Sequence, residues 1–215
     1  MKTTTLTLSL GLGLLLAITP GCDSSINKSI YVQDGERRDS GINAVNGTIT
    51  IGNDCVIRGD CRTVNGAIRV GQNSIVRELQ VVNGNIELGR KSRSKNDLMT
   101  VNGTITLQPG SLVNGEVSTI NGGIRMDNAT VEQDLTLFNG NIELVNASLV
   151  KGDIIIKDSK GNRDRNQVYT IRLGEGSVVE GDIFVQEDEV KVKVVLGKDA
   201  SVKGNVTNAE VIREL

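Results

Sequence analysis

The chain contains no histidine and no tryptophan, and only two prolines, two tyrosines and two phenylalanines in 215 residues. The missing histidine removes the commonest general base and the commonest metal ligand near neutral pH. Aromatics at 2% leave no stacking platforms for sugars, and any core must be aliphatic, layered and thin. Scarce proline beside 25 glycines means that glycine and asparagine make most of the turns. The net charge of −2 carries no basic excess of the kind that displaces counterions from a phosphate backbone, so no nucleic acid partner is expected. Beyond the first 22 residues no amphipathic helical pattern is visible.

What is present is a period. An apolar residue followed by Asn-Gly marks Asn46, Asn65, Asn83, Asn102, Asn121 and Asn139, at spacings of 19, 18, 19, 19 and 18. An acid followed by an apolar residue marks Asp60, Glu78, Asp97, Glu116, Asp134 and Asp153, at spacings of 18, 19, 19, 18 and 19. Small residues, Cys55, Ser74, Ser111, Ala129 and Ser148, all but Ala129 before an aliphatic, keep the same beat. Repetition this regular outranks any local signal.

Within each unit apolar and polar residues alternate, as in Asn-Gly-Thr-Ile-Thr-Ile-Gly at 46–52, and a period of two means strand. Two folds accommodate about three short strands per unit. In a meander or barrel each Asn-Gly is a hairpin reversal. In a parallel β-helix each unit is one coil, and equivalent residues stack about 4.8 Å apart. The residue between the two aliphatics of each unit favours the second. It runs Thr50, Arg69, Glu87, Thr106, Arg125, Glu143, so stacking sets Arg69 beside Glu87 and Arg125 beside Glu143. A membrane barrel would need aromatic girdles, which are missing. The expected fold is all-β, a single-stranded parallel β-helix (solenoid) of about eight 18–19-residue coils over 44–207, roughly 40 Å long. A tether and N-terminal cap are expected at 23–43 and a C-terminal cap at 208–215. Each Asn-Gly is then a corner, with asparagine tolerating a left-handed backbone and stacked amides bonding from coil to coil.

The last coils run long, because Asp153 to Asp182 is 29 residues and Asp182 to Asn205 is 23. The surplus falls where the Asn-Gly corner belongs, at 157–167 and 186–193. These polar loops, with Lys160, Arg163, Asp164, Arg165, Glu187 and Asp188, are the candidate site for a specific partner. Their alternative reading is two solvated excursions. The acid column, continued by Asp182, invites a cation such as Ca²⁺. The glycine- and aspartate-dense nonapeptide of calcium-binding β-helices is absent, however, and basic neighbours such as Arg58, Arg77 and Lys151 stand close by. No metal, no cofactor and no catalytic residue is expected, and the chain is not read as an enzyme. Cys55 and Cys61 are either a disulfide, if the chain is exported, or two small buried thiols.

Residues 1–22 read as a processing segment. Lys2 precedes an apolar run at 6–18 that is short for a membrane span, and Thr-Pro-Gly-Cys follows. Cysteine after glycine at this place resembles a bacterial lipoprotein lipobox. The resemblance implies lipidation at Cys22, an acyl anchor in a lipid membrane, and an exported protein facing the periplasm or the outer surface.

The phrases Gly-Ser-Leu-Val-Asn-Gly-Glu-Val at 110–117, Gly-Ser-Val-Val-Glu-Gly-Asp-Ile at 176–183 and Asp-Ala-Ser-Val-Lys-Gly-Asn-Val at 199–206 resemble the repeats of bactofilins, polymer-forming bacterial cytoskeletal proteins. The Val-Asn-Gly phrasing is also similar to adhesin-like domains of bacterial envelope proteins. These resemblances imply a lipid-anchored envelope protein with a structural or adhesin-like binding role, or a scaffold that self-associates through its end coils. A degenerate polysaccharide-acting β-helix enzyme is the third expectation, and a smooth rod would count against it.

Overall fold

In this computed structural model, residues 23–157, 167–186 and 190–214 are described. Their strands form three parallel sheets, of ten, ten and nine strands, wound as a β-solenoid of about nine turns. We call the sheets walls A, B and C. A representative coil runs through Leu98–Asn102 on wall A, Ile105–Leu107 on wall B and Leu112–Val113 on wall C. The next coil lays Val117–Asn121, Ile124–Asp127 and Thr130–Val131 directly over it.

The two-residue alternation decides which atoms face inward. Leu98, Thr100, Ile105, Leu107 and Val113 are buried, while Met99 between them points out. Each inward aliphatic contributes about 1.5–3 kcal/mol by leaving water. Because the register is kept from coil to coil, these residues stack on their equivalents. Ile68, Ile86, Ile105, Ile124 and Ile142 make one continuous column in wall B. Thr63, Thr100 and Thr119 interrupt the apolar lining of wall A. Their hydroxyls donate to the carbonyls of Gly47, Gly84 and Gly103 at 2.9, 2.9 and 3.2 Å, so no hydroxyl is buried unbonded there.

Two boundaries and one corner differ from those read in the sequence. Residues 23–43 are a coil of the solenoid rather than a tether and cap. Asp23–Ser25 pairs with wall A, Ile30–Val32 with wall B and Arg37–Arg38 with wall C. At the other end Glu210–Arg213 pairs with Lys191–Leu196 and extends wall B. The left-handed corner is also not at the asparagines. In the repeating coils it lies between walls B and C, at Gly35, Asp54, Asn73, Lys91, Gly110, Asn128, Ala147 (with Asn146), Gly176 and Asp199, and of the described asparagines at the A–B corner only Asn27 and Asn208, in the first and last coils, are left-handed as well. The asparagines of the A–B corner end the wall A strands, and at four of the six the following glycine takes the unusual backbone, with φ of 152° at Gly66 and 148° at Gly84. A β-carbon on Gly84 would overlap the Gly66 carbonyl, so coils approach too closely at this corner for any side chain.

Candidate functional site

The A–B corner carries the longest ordered polar array. Asn65 donates its amide to Asn46 at 2.8 Å, Asn83 to Asn65 at 2.8 Å, Asn102 to Asn83 at 2.8 Å, Asn121 to Asn102 at 2.9 Å and Asn139 to Asn121 at 2.8 Å. The ladder runs further than the Asn-Gly motif. Asn46 donates to Asn27 at 2.6 Å, and the Tyr169 hydroxyl donates to the Asn139 carbonyl oxygen at 3.2 Å. Asn27 lies 19 residues before Asn46, so spacing alone could have found it, but Lys28 stands where the motif has glycine. Each side chain uses its donor downward and its acceptor upward. The array satisfies itself.

The acid column does the same with the backbone. Asp97, Asp134, Asp153 and Asp182 each accept the main-chain N–H one coil on, from Glu116, Asp153, Asp182 and Asn205, at 2.7–2.9 Å. Carboxylates that would otherwise repel are thus held one per rung by N–H dipoles. No group of three or more metal-ligating side chains converges among the described residues. Glu78 and Asp60 differ from the others. Arg62 reaches Asp60 at 2.9 Å and Glu78 at 3.8 Å, while Gln80 donates to Glu78. The buried Asp60 Oδ1 takes no hydrogen bond, although Arg77 Nε balances its charge from 3.4 Å. Burial first, and the neighbouring Asp60 charge second, push the Glu78 carboxyl above its ordinary range.

The column of small residues is a second internal ladder. Ser74 Oγ accepts from the Cys55 N–H and donates to Gly52, and Ser92 Oγ accepts from the Ser74 N–H, at 2.9, 2.9 and 2.9 Å. Ser92 belongs to this column but precedes Arg93 instead of an aliphatic, which hid it in the sequence. In the charge column Arg125 pairs with Glu143. Arg69 stands in register beside Glu87, whose carboxylate accepts from Gln108 at 3.1 Å.

The disulfide expectation is corrected: Cys55 and Cys61 are both free and buried. In a solenoid the contacts across the stack come from residues one period away, not six. Cys61 opens a wall A strand between Ile42 and Leu79, whereas Cys55 enters wall C with its thiol toward the Gln33 carbonyl at 3.0 Å. Burial, reinforced by Asp60, pushes the Cys61 thiol up to about 12.

The lipidation residue Cys22 and the loop residues Lys160, Arg163, Asp164, Arg165, Glu187 and Asp188 lie outside the described residues. Their flanks are described, and both insertions fall between walls A and B, since Ile154–Ile156 leads to Val168–Leu173 and Ile183–Val185 to Lys191–Leu196. Beside them is an open depression of about 500 Å³ bordered by Val168, Val190, Val192, Lys193, Asn208 and Glu210.

Fold and site together define the class: a three-walled parallel β-solenoid whose asparagine and aspartate ladders are consumed internally. No family model, curated protein or solved structure matches the chain.

Proposed function

We propose that the chain is a non-catalytic, lipid-anchored rod of the bacterial cell envelope, serving as a scaffold or adhesin-like binding module. One observation carries this reading. The first wall A strand starts at Asp23, directly after the candidate acylation residue Cys22. An acyl chain there sets the first coil against the bilayer with no spacer. That coil exposes Ile26 and Tyr31, 68% and 62% accessible, with Lys28 between them. An apolar side chain, an amphipathic aromatic and a cation suit a headgroup boundary. The polar ladders leave few free groups on the walls for chemistry, which favours a structural role, and the corner depression near Val168 and Glu210 is the place for a partner.

The test is the intact mass of the mature protein from cells, with detergent partitioning of wild type and Cys22→Ser. A mature N-terminus at an acylated Cys22, with membrane association lost in the variant, supports the reading. A water-soluble product cut elsewhere overturns it.

A second reading, a self-polymerising scaffold, is favoured by the rod's ends. The strands of the first and last coils stand at the margins of all three sheets, so each has one paired edge. Concentration-dependent sedimentation and negative-stain microscopy decide it, by filaments or by a lasting monomer.

A further inference from the structure

Asn-Gly occurs seven times in the chain, but only six copies stand on the ladder. The seventh, Asn114-Gly115, is preceded by valine like most of the others, yet it falls at the corner between walls C and A. The surroundings of the two kinds of Asn-Gly differ in the groups that matter for one reaction.

At the ladder corners the glycine N–H is occupied. Gly47, Gly66, Gly84, Gly103 and Gly122 donate to the main-chain carbonyls of Asn65, Asn83, Asn102, Asn121 and Asn139 at 2.9–3.0 Å. The asparagine amide is held as well, by its neighbours in the ladder. At the other corner Gly115 is buried, and its N–H has no hydrogen-bond partner among the described residues. The Asn114 side chain is half-exposed, and its carbonyl oxygen accepts from Arg93 Nε at 3.2 Å. One peptide is locked, and the other has a free nucleophile next to a polarised carboxamide.

We infer that Asn114 is a self-modification site, converted to aspartate or isoaspartate by attack of the Gly115 amide nitrogen, whereas the ladder asparagines are protected by the fold. Because Gly115 is buried, hydroxide reaches its N–H proton only as the corner between walls C and A opens, and takes it there. The nitrogen then forms a bond to the Asn114 side-chain carbonyl carbon, the bond from that carbon to Nδ2 breaks, and ammonia leaves. Water opens the resulting cyclic imide at either carbonyl. Nothing is oxidised or reduced. Negative charge builds on Oδ1 during the addition, where the Arg93 N–H already points, so Arg93 stabilises that oxyanion.

The neighbourhood also suits the product. The residue following each wall C strand forms a column that is charged in every coil except at Asn114. Within that column Arg58 pairs with Asp39 at 2.7 Å, Lys151 with Glu132 at 2.8 Å and Lys203 with Glu180 at 2.6 Å. A carboxylate at position 114 has Lys95 before it in the column and Arg93 in contact, and the acid after it, Glu132, is already paired with Lys151, so the new charge meets more cation than anion.

The chain supplies its own controls. Trypsin cutting at Lys95 and Arg125 releases one peptide, 96–125, that carries Asn102, Asn114 and Asn121. The full-length folded chain is held at mildly alkaline pH for days, digested and fragmented in a mass spectrometer to place each gain of about 1 Da. Asn114 is expected to convert at least about tenfold faster than Asn102 or Asn121 in the folded chain, with the three rates converging in denaturant. Arg93→Gln is expected to slow Asn114 by roughly three- to tenfold, the worth of one charge-assisted hydrogen bond at a half-exposed position. Ladder asparagines keeping pace with Asn114 in the folded chain, or a folded Asn114 that stays intact, would overturn the inference. An unchanged rate in Arg93→Gln would overturn the part given to Arg93.

Discussion

Gly122 and Gly123 are adjacent, both small and both at the A–B corner, yet replacing them should have opposite severities. Gly122 has φ of 152°, a backbone region almost reserved for glycine, and a β-carbon there would sit 2.6 Å from the Gly103 carbonyl carbon and overlap its oxygen. The backbone strain alone is worth about 1–3 kcal/mol. Relief requires moving one coil off the next. That stretches the Gly103 N–H to Asn121 carbonyl bond and the Asn121 to Asn102 amide bond, both 2.9 Å. At about 1 kcal/mol net each, the total for Gly122→Ala is about 3–5 kcal/mol. Gly123 has no unusual φ, and a β-carbon there would meet only the Asn141 carbonyl oxygen at 3.2 Å. Gly123→Ala should therefore stay within about 1 kcal/mol of wild type. Urea unfolding followed by far-ultraviolet circular dichroism reads the difference as a midpoint lower by about 1–2 M for Gly122→Ala only. Two variants with midpoints within about 0.3 M of each other would refute the close-approach reasoning.

Three further outcomes follow from other coils. Cys55 and Cys61 should resist alkylation in the folded chain and react fully in denaturant, and a reductant should leave the unfolding temperature unchanged, because both are buried free thiols. Glu78 holds its proton more tightly folded than unfolded, so its charge weakens the fold once pH rises above the ordinary value of 4.5, and below that value the penalty vanishes. Glu78→Gln should therefore raise the unfolding midpoint at about pH 7 and lose that gain near pH 4, read by urea titrations at both. Lys91 occupies the left-handed corner with φ of 55°, where Gly110 serves one coil on. Lys91→Gly should stabilise by about 0.5 kcal/mol in the same titration, the relief of strain offset in part by glycine's greater freedom when unfolded.

The solenoid was legible because three unrelated residue types keep one period, and a period survives any single misread residue. Arg125 meeting Glu143 followed from the stacking it implies. The insertions in the last coils were legible too, since the beat resumes after each one. What failed was local. The first coil escaped notice because Asn27 lacks the following glycine, although its side chain accepts from Asn46 as any ladder member does. The left-handed corner was assigned to asparagine on propensity, but Lys91 and Ala147 also adopt it, so the coil geometry overrides preference there. The cysteines misled because six residues is a short distance along a chain and a turn plus a wall apart on a coil. Asn114 and Asn102 share a Val-Asn-Gly phrase, and only the structure separates the corner that locks its peptide from the one that does not.

The Asn and Asp ladders both run in one direction. In each, the later coil brings the donor and the earlier coil already holds the acceptor: Asn102 gives to Asn83, and the Glu116 amide gives to Asp97. A chain emerging N-terminus first can therefore add each new coil to a finished platform about nineteen residues behind it, with no need to wait for distant sequence. Growth by accretion has a stopping problem, since a platform that accepts its own next coil also accepts a similar coil from elsewhere. In the described part of this chain the upward-facing acceptor of Asn139 is taken by a tyrosine hydroxyl instead of another asparagine. That one change of residue ends the amide series, and the coils beyond it are stacked without it.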